Sequence, residues 1–150
     1  MKAEYLGHIV FYVKALEVSL RFYEKILGWE RIISETLPFK AAALSSGRTH
    51  HELLLIEVGD APKRPIGRRI GFYHAAFKIG DSIDELKSAY KDLIKYGVDI
   101  IGTSVHTVSK SLYLLDPDGN EIELYIDDPK YDWKSNPTLV LSPIKPLSLD

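Results

Sequence analysis

The stretch LYLLDPDGNEIELYIDDP (112–129) contains two apolar, strand-like runs on either side of a turn, DPDG (116–119). Asp, Pro and Gly at these turn positions supply an acceptor for backbone amides, a fixed φ and a residue that tolerates positive φ. The second run, however, carries Glu121 and Glu123 where a buried strand normally has apolar side chains. A carboxylate removed from water is costly unless a partner or a metal ion neutralises it. We therefore expect a partner for this charge elsewhere in the chain.

The composition predicts one soluble globular domain. The chain has 150 residues, of which 45% are hydrophobic, and its net charge of -2 does not favour nucleic acid or a membrane as a partner. It has no cysteine, so a metal ion would have to be held by His, Asp or Glu. The apolar run near the N-terminus is too short to span a membrane and lacks a signal-peptide cleavage pattern, which favours a cytoplasmic protein.

Two stretches, 7–33 and 73–101, follow the same plan of strand, helix and strand. Apolar residues recur at helical spacing in both, and the helices are expected to end at Gly28 and Gly97. Further strand-like segments complete each copy: 29–35, 39–45 and 51–58 in the first, and 98–102, 110–116 and 121–127 in the second. The sequence therefore predicts an α+β fold made of two βαβββ modules, at about 5–60 and 71–128.

Outside the modules lie a linker and a tail. Residues 59–72 are rich in Pro, Gly and basic side chains, as is typical of a linker. The tail, 129–150, contains prolines together with Tyr131 and Trp133. We expect it to pack on the domain or on a second subunit. Exposed sheet edges and this apolar tail favour a homo-oligomer.

Two histidines occupy matching places in the repeat, His8 in the first copy and His74 in the second. A single histidine in a strand is usually satisfied by an ordinary hydrogen bond. Two at equivalent positions, together with Glu123, form a set of two imidazoles and one carboxylate, which suits a metal ion with three open positions.

The order of His8, of His74 within YHAAFKI and of Glu123 within DPDGNEIELY resembles the vicinal oxygen chelate superfamily, which includes glyoxalases, bleomycin resistance proteins and extradiol dioxygenases. The resemblance extends over about residues 5–128. It implies a domain, 1–128, in which the modules form a cupped, half-open barrel-like mixed sheet around a divalent metal held by these three residues. Glu121 is then expected to be a surface carboxylate near the turn.

Within that superfamily two segments resemble extradiol dioxygenases. THHELLLIEVGD (49–60) is similar to their HH-x-x-A-L segment, and VHTVSKSLYLLDPDGNEIELYIDDP (105–129) to the closing segment of single-domain catechol 2,3-dioxygenase-like proteins. The resemblance implies catalytic roles for His51 as an acid–base group and for His106 and Tyr113 as hydrogen-bonding partners of the substrate.

The residues alone leave these roles open. Solvated histidines at 51 and 106 and a core tyrosine at 113 fit the pattern too. Because neighbouring strand residues alternate, His50 and His51 are expected to face opposite ways. Val105 and Leu54 depart from the usual Asp and Ala of the two segments.

The resemblance implies a ring-cleaving dioxygenase that uses O2 and a catechol-type aromatic diol, as in the catabolism of aromatic compounds. Two neutral imidazoles and one carboxylate leave a net positive charge on a divalent ion, which a catecholate monoanion offsets. Fe(II) is the expected metal and Mn(II) accepts the same ligands.

Two alternatives stand beside this function. The first is a glyoxalase-like isomerase or lyase with Ni or Zn, which needs a fourth ligand, a Glu, on the last strand of the first copy. Glu52 and Glu57 lie there, but neither falls on the expected place, near Leu53, which counts against this alternative. The second is a metal-free small-molecule binding protein with the same fold.

Overall fold

The computed structural model describes residues 1–63, 65, 67–68 and 70–149. The chain divides into two compact units, Met1–Arg68 and Arg69–Asp150, and each contains one complete βαβββ module. The elements of the first module are β1 (Ile9–Val13), α1 (Leu16–Leu27), β2 (Glu30–Ile33), β3 (Ala41–Ser45) and β4 (Leu53–Glu57). Those of the second are β5 (His74–Gly80), α2 (Ile83–Lys95), β6 (Ile100–Val105), β7 (Ser109–Leu115) and β8 (Glu121–Asp127). The predicted α+β fold with two βαβββ modules is confirmed.

Each module forms its own four-stranded mixed sheet. The strand orders are β1-β4-β3-β2 and β5-β8-β7-β6. In each sheet the first and last strands of the module are parallel neighbours, and the remaining pairs are antiparallel. Neither sheet closes into a barrel, since each has β1 or β5 at one edge and β2 or β6 at the other.

Helix α1 takes its N-terminal cap from a distant strand. Ala15, at the cap position, has no side chain that can bond the first turn, so the Leu16 amide donates instead to Oε2 of Glu57 in β4, at 2.9 Å. The helix ends where the sequence predicts, at Gly28, whose φ of 66° is the left-handed conformation that glycine adopts without strain. Leu20 and Tyr23 are fully buried beneath it.

Helix α2 carries its own cap. The Ser82 hydroxyl accepts from the Glu85 amide, and the Glu85 carboxylate accepts from the Ser82 amide, which is a capping box. Leu86 and Leu93 form the buried stripe of the helix. The helix packs on β5, β7 and β8.

The face of the second sheet beneath α2 is apolar and the opposite face is polar. Leu112, Leu114, Ile122 and Leu124 are almost fully buried and form the core. Since side chains alternate along a strand, the residues between them share the other face. That face therefore carries the carboxylates of Glu121 and Glu123 in β8.

The C-terminal tail lies along β6 within the second unit. Val105 and Lys145 exchange two backbone hydrogen bonds, and the Thr103 hydroxyl donates to the Leu147 carbonyl at 2.7 Å. Leu149 is buried. In the described part of the chain, no helix has the length and apolar character needed to cross a membrane.

The cap of α2 generates a stability prediction. Ser82→Ala should lower the free energy of unfolding by about 1 kcal/mol, because the Glu85 amide loses its acceptor. Ser88→Ala is the matched control, since Ser88 is exposed in the middle of the same helix and alanine is the better helix former. Urea unfolding followed by circular dichroism measures both; equal losses in the two variants would contradict the role of the cap.

Candidate functional site

The carboxylate of Glu123 is buried in the centre of β8 and is fully partnered. It is 9% exposed. Its Oε1 accepts from the Ser111 hydroxyl at 2.5 Å and from the Tyr113 hydroxyl at 3.4 Å. Its Oε2 lies 3.0 Å from Nε2 of His74. The partners that the charge requires are therefore two hydroxyl groups on one oxygen and an imidazole on the other.

His74 is placed beside Glu123 by the parallel pairing of β5 and β8. It begins β5 opposite Glu121, so that its side chain lies on the polar face of the sheet. Its Nδ1 is buried and has no hydrogen-bond partner among the described residues, and Oε1 of Glu121 lies 3.6 Å away. The side chain of Glu121 is only 19% exposed. The expectation of a surface carboxylate at Glu121 is therefore wrong, because the strand begins at this residue and directs it toward His74.

The separation and the donor types of His74 and Glu123 are compatible with two ligands of one metal ion. Ligands about 2.1 Å from an octahedral ion and at right angles to each other lie about 3 Å apart, which matches the observed separation of Nε2 and Oε2. Neutral imidazole and carboxylate suit Fe(II) and Mn(II). Among the described residues no three His, Asp or Glu side chains are grouped to hold an ion. Two of the predicted ligands thus lie in the second unit, and the third, His8, lies in the first.

Tyr113 connects this pair to His106. The Tyr113 hydroxyl lies 2.8 Å from Nε2 of His106 and 3.1 Å from the hydroxyl of Ser104. Burial raises the pKa of Tyr113, and the Glu123 charge adds to this effect against the opposing hydrogen bond of Ser104. The phenol therefore remains protonated at neutral pH and can donate a hydrogen bond.

Ser104 and Ser111 also belong to this network, although no sequence motif identifies them as site residues. Ser111 is fully buried and Ser104 is 6% exposed. The two residues are direct cross-strand partners on β6 and β7. Alternation with Tyr113 along β7 places Ser111 on the polar face, but only the strand register pairs it with Ser104 and sets it beside Glu123.

A strained turn orients His106. The Val108 amide donates to the His106 carbonyl at 2.7 Å, which closes a three-residue turn around Thr107. Thr107 has a φ of 63°, a conformation that is rare for a β-branched residue. The His106 amide also donates to the Ser109 carbonyl at 2.8 Å. The backbone on both sides of the imidazole is thus fixed.

The remaining histidines form a cluster in the first unit. The ring of His51 lies 4.4 Å, between centroids, from the rings of both His8 and His50. The Nδ1 atoms of His50 and His51 are 2.5 Å apart. Burial, followed by the charges of His8 and His50, lowers the pKa of His51, which favours its neutral form.

The expectation that His50 and His51 face opposite ways is wrong. β4 begins at Leu53, so both residues precede the strand and do not follow its alternation.

The two glutamates that an isomerase could use as a fourth ligand both have structural partners. Glu52 accepts from the amide and the hydroxyl of Ser46, with one bond to each carboxylate oxygen. Glu57 caps α1 and pairs with Lys40 at 2.8 Å. Leu53, where the ligand is expected, is fully buried. The first unit therefore offers no uncommitted glutamate at this place among the described residues.

The strained turn generates a second prediction. Thr107→Gly should raise the free energy of unfolding by about 1 kcal/mol, because glycine adopts positive φ without the steric cost that threonine pays. Thr103→Gly, within β6, is the contrasting variant and should destabilise the protein, because Thr103 does not have a positive φ and its hydroxyl donates to the Leu147 carbonyl. Thermal and urea unfolding measure both, and a loss of stability in Thr107→Gly would show that the turn is not strained.

Comparison with known proteins relates this chain to one superfamily. Residues 5–124 match the family described as Glyoxalase/Bleomycin resistance protein/Dioxygenase superfamily. The chain is 35% identical over 130 residues to a catechol-2,3-dioxygenase of Bacillus subtilis (strain 168). This match covers 87% of this chain and 44% of that protein. It is 31% identical to biphenyl-2,3-diol 1,2-dioxygenase 3 of Rhodococcus globerulus, covering 82% of this chain and 63% of the relative. The chain thus spans less than two thirds of the length of either dioxygenase.

A third relative is nearer in length. Metallothiol transferase FosB of Lysinibacillus sphaericus (strain C3-41) is 29% identical, and the match covers 83% of this chain and 84% of that protein.

Solved structures have the same fold. A glyoxalase/dioxygenase from Nostoc punctiforme has a TM-score of 0.70 at 22% identity and covers 83% of this chain and 91% of its own. The fosfomycin resistance protein FosX from Listeria monocytogenes has a TM-score of 0.66 at 21% identity, with coverage of 86% and 98%. Because the family model matches most of the chain and solved structures share its fold, the chain belongs to the glyoxalase/bleomycin resistance protein/dioxygenase superfamily.

Proposed function

We propose that the protein is a metal-dependent extradiol dioxygenase, which cleaves the ring of a catechol-type aromatic diol with O2. The observation that carries this proposal is the arrangement around Glu123, where one oxygen faces His74 and the other is linked through Tyr113 to His106. One hydrogen-bonded network therefore contains two proposed metal ligands, His74 and Glu123, and two titratable groups for the substrate, Tyr113 and His106. The names of the Bacillus and Rhodococcus relatives support the same reaction class.

The proposed ligands are His8, His74 and Glu123, and the proposed metal is Fe(II), with Mn(II) accepted by the same donors. His8 enters through the family resemblance, and the other two through their contact in the second unit. When bound, such an ion would supply open positions at which the diol and dioxygen are brought together.

The neighbouring residues would hold the substrate and transfer its protons. A diol loses a proton when it binds as an anion, and a neutral imidazole with a lowered pKa, such as that of His51, is suited to accept it. His106 lies against the Tyr113 hydroxyl, and the one proton of that hydroxyl would turn from Glu123 to a substrate oxygen, so that this pair would orient the substrate. The buried hydroxyl groups of Ser104 and Ser111 keep Tyr113 and Glu123 in place.

A metallothiol transferase is the second candidate. It is favoured by the match to FosB, which covers most of both chains, whereas the dioxygenases are longer than this chain. The two functions differ in their substrates. Iron-loaded protein incubated with catechols under air should give a coloured ring-fission product; consumption of a thiol together with fosfomycin, and no catechol turnover, would favour the transferase.

Metal binding is the first test of the proposed site. Purified protein should bind one divalent ion per chain, and His74→Ala or Glu123→Gln should lower the affinity by at least about 100-fold. His106→Ala is the control, since its imidazole contacts Tyr113 and is not a proposed ligand. Titration with Fe(II) or Mn(II) under anaerobic conditions measures the affinity. Undiminished binding in the two ligand variants would exclude this site.

The role of Tyr113 is tested separately. Tyr113→Phe should lower the turnover of catechols by at least about 100-fold, because the hydroxyl acts on the substrate. The metal affinity should change far less, because the shorter bond from Ser111 still holds the Glu123 carboxylate. Tyr131→Phe, in the exposed part of the tail, is the matched control. Equal turnover in the two variants would remove Tyr113 from the proposed catalytic group.

A further inference from the structure

We propose that Glu121 is a positioning residue for His74, because it can accept a hydrogen bond from Nδ1–H when Nε2 is bound to a metal ion. The inference rests on the proposed metal site and extends it to a residue that does not touch the ion. It is drawn from an unsatisfied atom in the structure, Nδ1 of His74.

The imidazole of His74 lies between two carboxylates of the same strand. Its Nε2 is 3.0 Å from Oε2 of Glu123, and its Nδ1 is 3.6 Å from Oε1 of Glu121. The second distance is just beyond a hydrogen bond. The register of the parallel pair fixes this arrangement, since His74 is the direct partner of Glu121.

The proton count of a neutral imidazole explains why one contact is formed and the other is not. A neutral ring carries one N–H, and the short contact with Glu123 places it on Nε2. Nδ1 then presents a lone pair to the Glu121 carboxylate, which is also an acceptor. The two atoms cannot bond, and Nδ1 is left buried without a partner.

A metal ion on Nε2 reverses this situation. Coordination uses the Nε2 lone pair, so the proton of the neutral ring must be on Nδ1, where it faces Glu121. A shift of a few tenths of an ångström then gives a hydrogen bond of normal length. Carboxylates in this position fix the tautomer and orientation of a metal-bound histidine and strengthen it as a ligand.

Among the described residues, no Lys or Arg side chain forms an ion pair with Glu121, and its one contact of this kind is with Nδ1 of His74 at 3.6 Å. It does not act as a ligand to the same ion, because Nδ1 and Nε2 point away from each other across the ring. Within the described part of the chain, this partly buried carboxylate is therefore available to His74.

The test measures the metal affinity of two variants of Glu121 in the full chain. Glu121→Ala should weaken the binding of Mn(II) or Zn(II) by about 10- to 100-fold, and Glu121→Gln, which keeps an acceptor oxygen, should recover most of the loss. Asp127→Asn is the matched control, because it removes one charge from the same strand and the same face at the far end of β8. Affinity in Glu121→Ala equal to that of the control would overturn the proposal.

Nitrogen NMR of the zinc-loaded protein gives a second readout, which a purely structural role would not move. In the wild type, His74 should carry its proton on Nδ1, with a proton resonance shifted downfield and slow to exchange. In Glu121→Ala that signal should move upfield and exchange faster. A signal that is the same in both proteins would contradict the hydrogen bond.

The outcomes also separate this inference from the proposed function. Wild-type protein that binds no divalent ion at all would exclude the metal site and Glu121 with it. Wild-type binding that is unaffected by Glu121→Ala would exclude the role of Glu121 alone.

Discussion

The burial of one carboxylate, that of Glu123, is the constraint on which the polar face of the second module depends. A charged group in the centre of a sheet is tolerated only when each oxygen has a partner. Here Ser111 and Tyr113 supply donors to one oxygen, and His74 faces the other. Two hydroxyl groups thus stabilise one oxygen through hydrogen bonds, and an imidazole lies against the other.

Strand alternation and parallel pairing produce this arrangement from a simple chain plan. In each module the last strand pairs with the first, so that residues far apart in the sequence become neighbours in the sheet. Leucines and isoleucines of β7 and β8 fill the space under α2, and the residues between them form the polar face. His74 meets Glu121 and Glu123 for this reason, although more than forty residues separate them in the sequence.

The fold could be predicted almost completely from the sequence, and the candidate site only in part. Local sequence patterns are sufficient to predict the helix ends at Gly28 and Gly97, the capping box of α2 and the repeated module. Contacts across strands depend on the strand register, which cannot be read from the local sequence pattern. For this reason the pattern does not identify Ser104 or Ser111, and it predicts a surface position for Glu121. The sequence pattern predicts a β4 that begins two residues too early, which accounts for the wrong expectation that His50 and His51 face opposite ways.

The central claim is that Glu123 and His74 hold a metal ion together. Anomalous diffraction from crystals of the iron- or manganese-loaded protein tests it most directly. The account predicts one anomalous peak bonded to Nε2 of His74 and Oε2 of Glu123, with Ser111 still hydrogen-bonded to the other oxygen. A fully loaded protein whose peak lies elsewhere, with the contact between Glu123 and His74 unchanged, would contradict it.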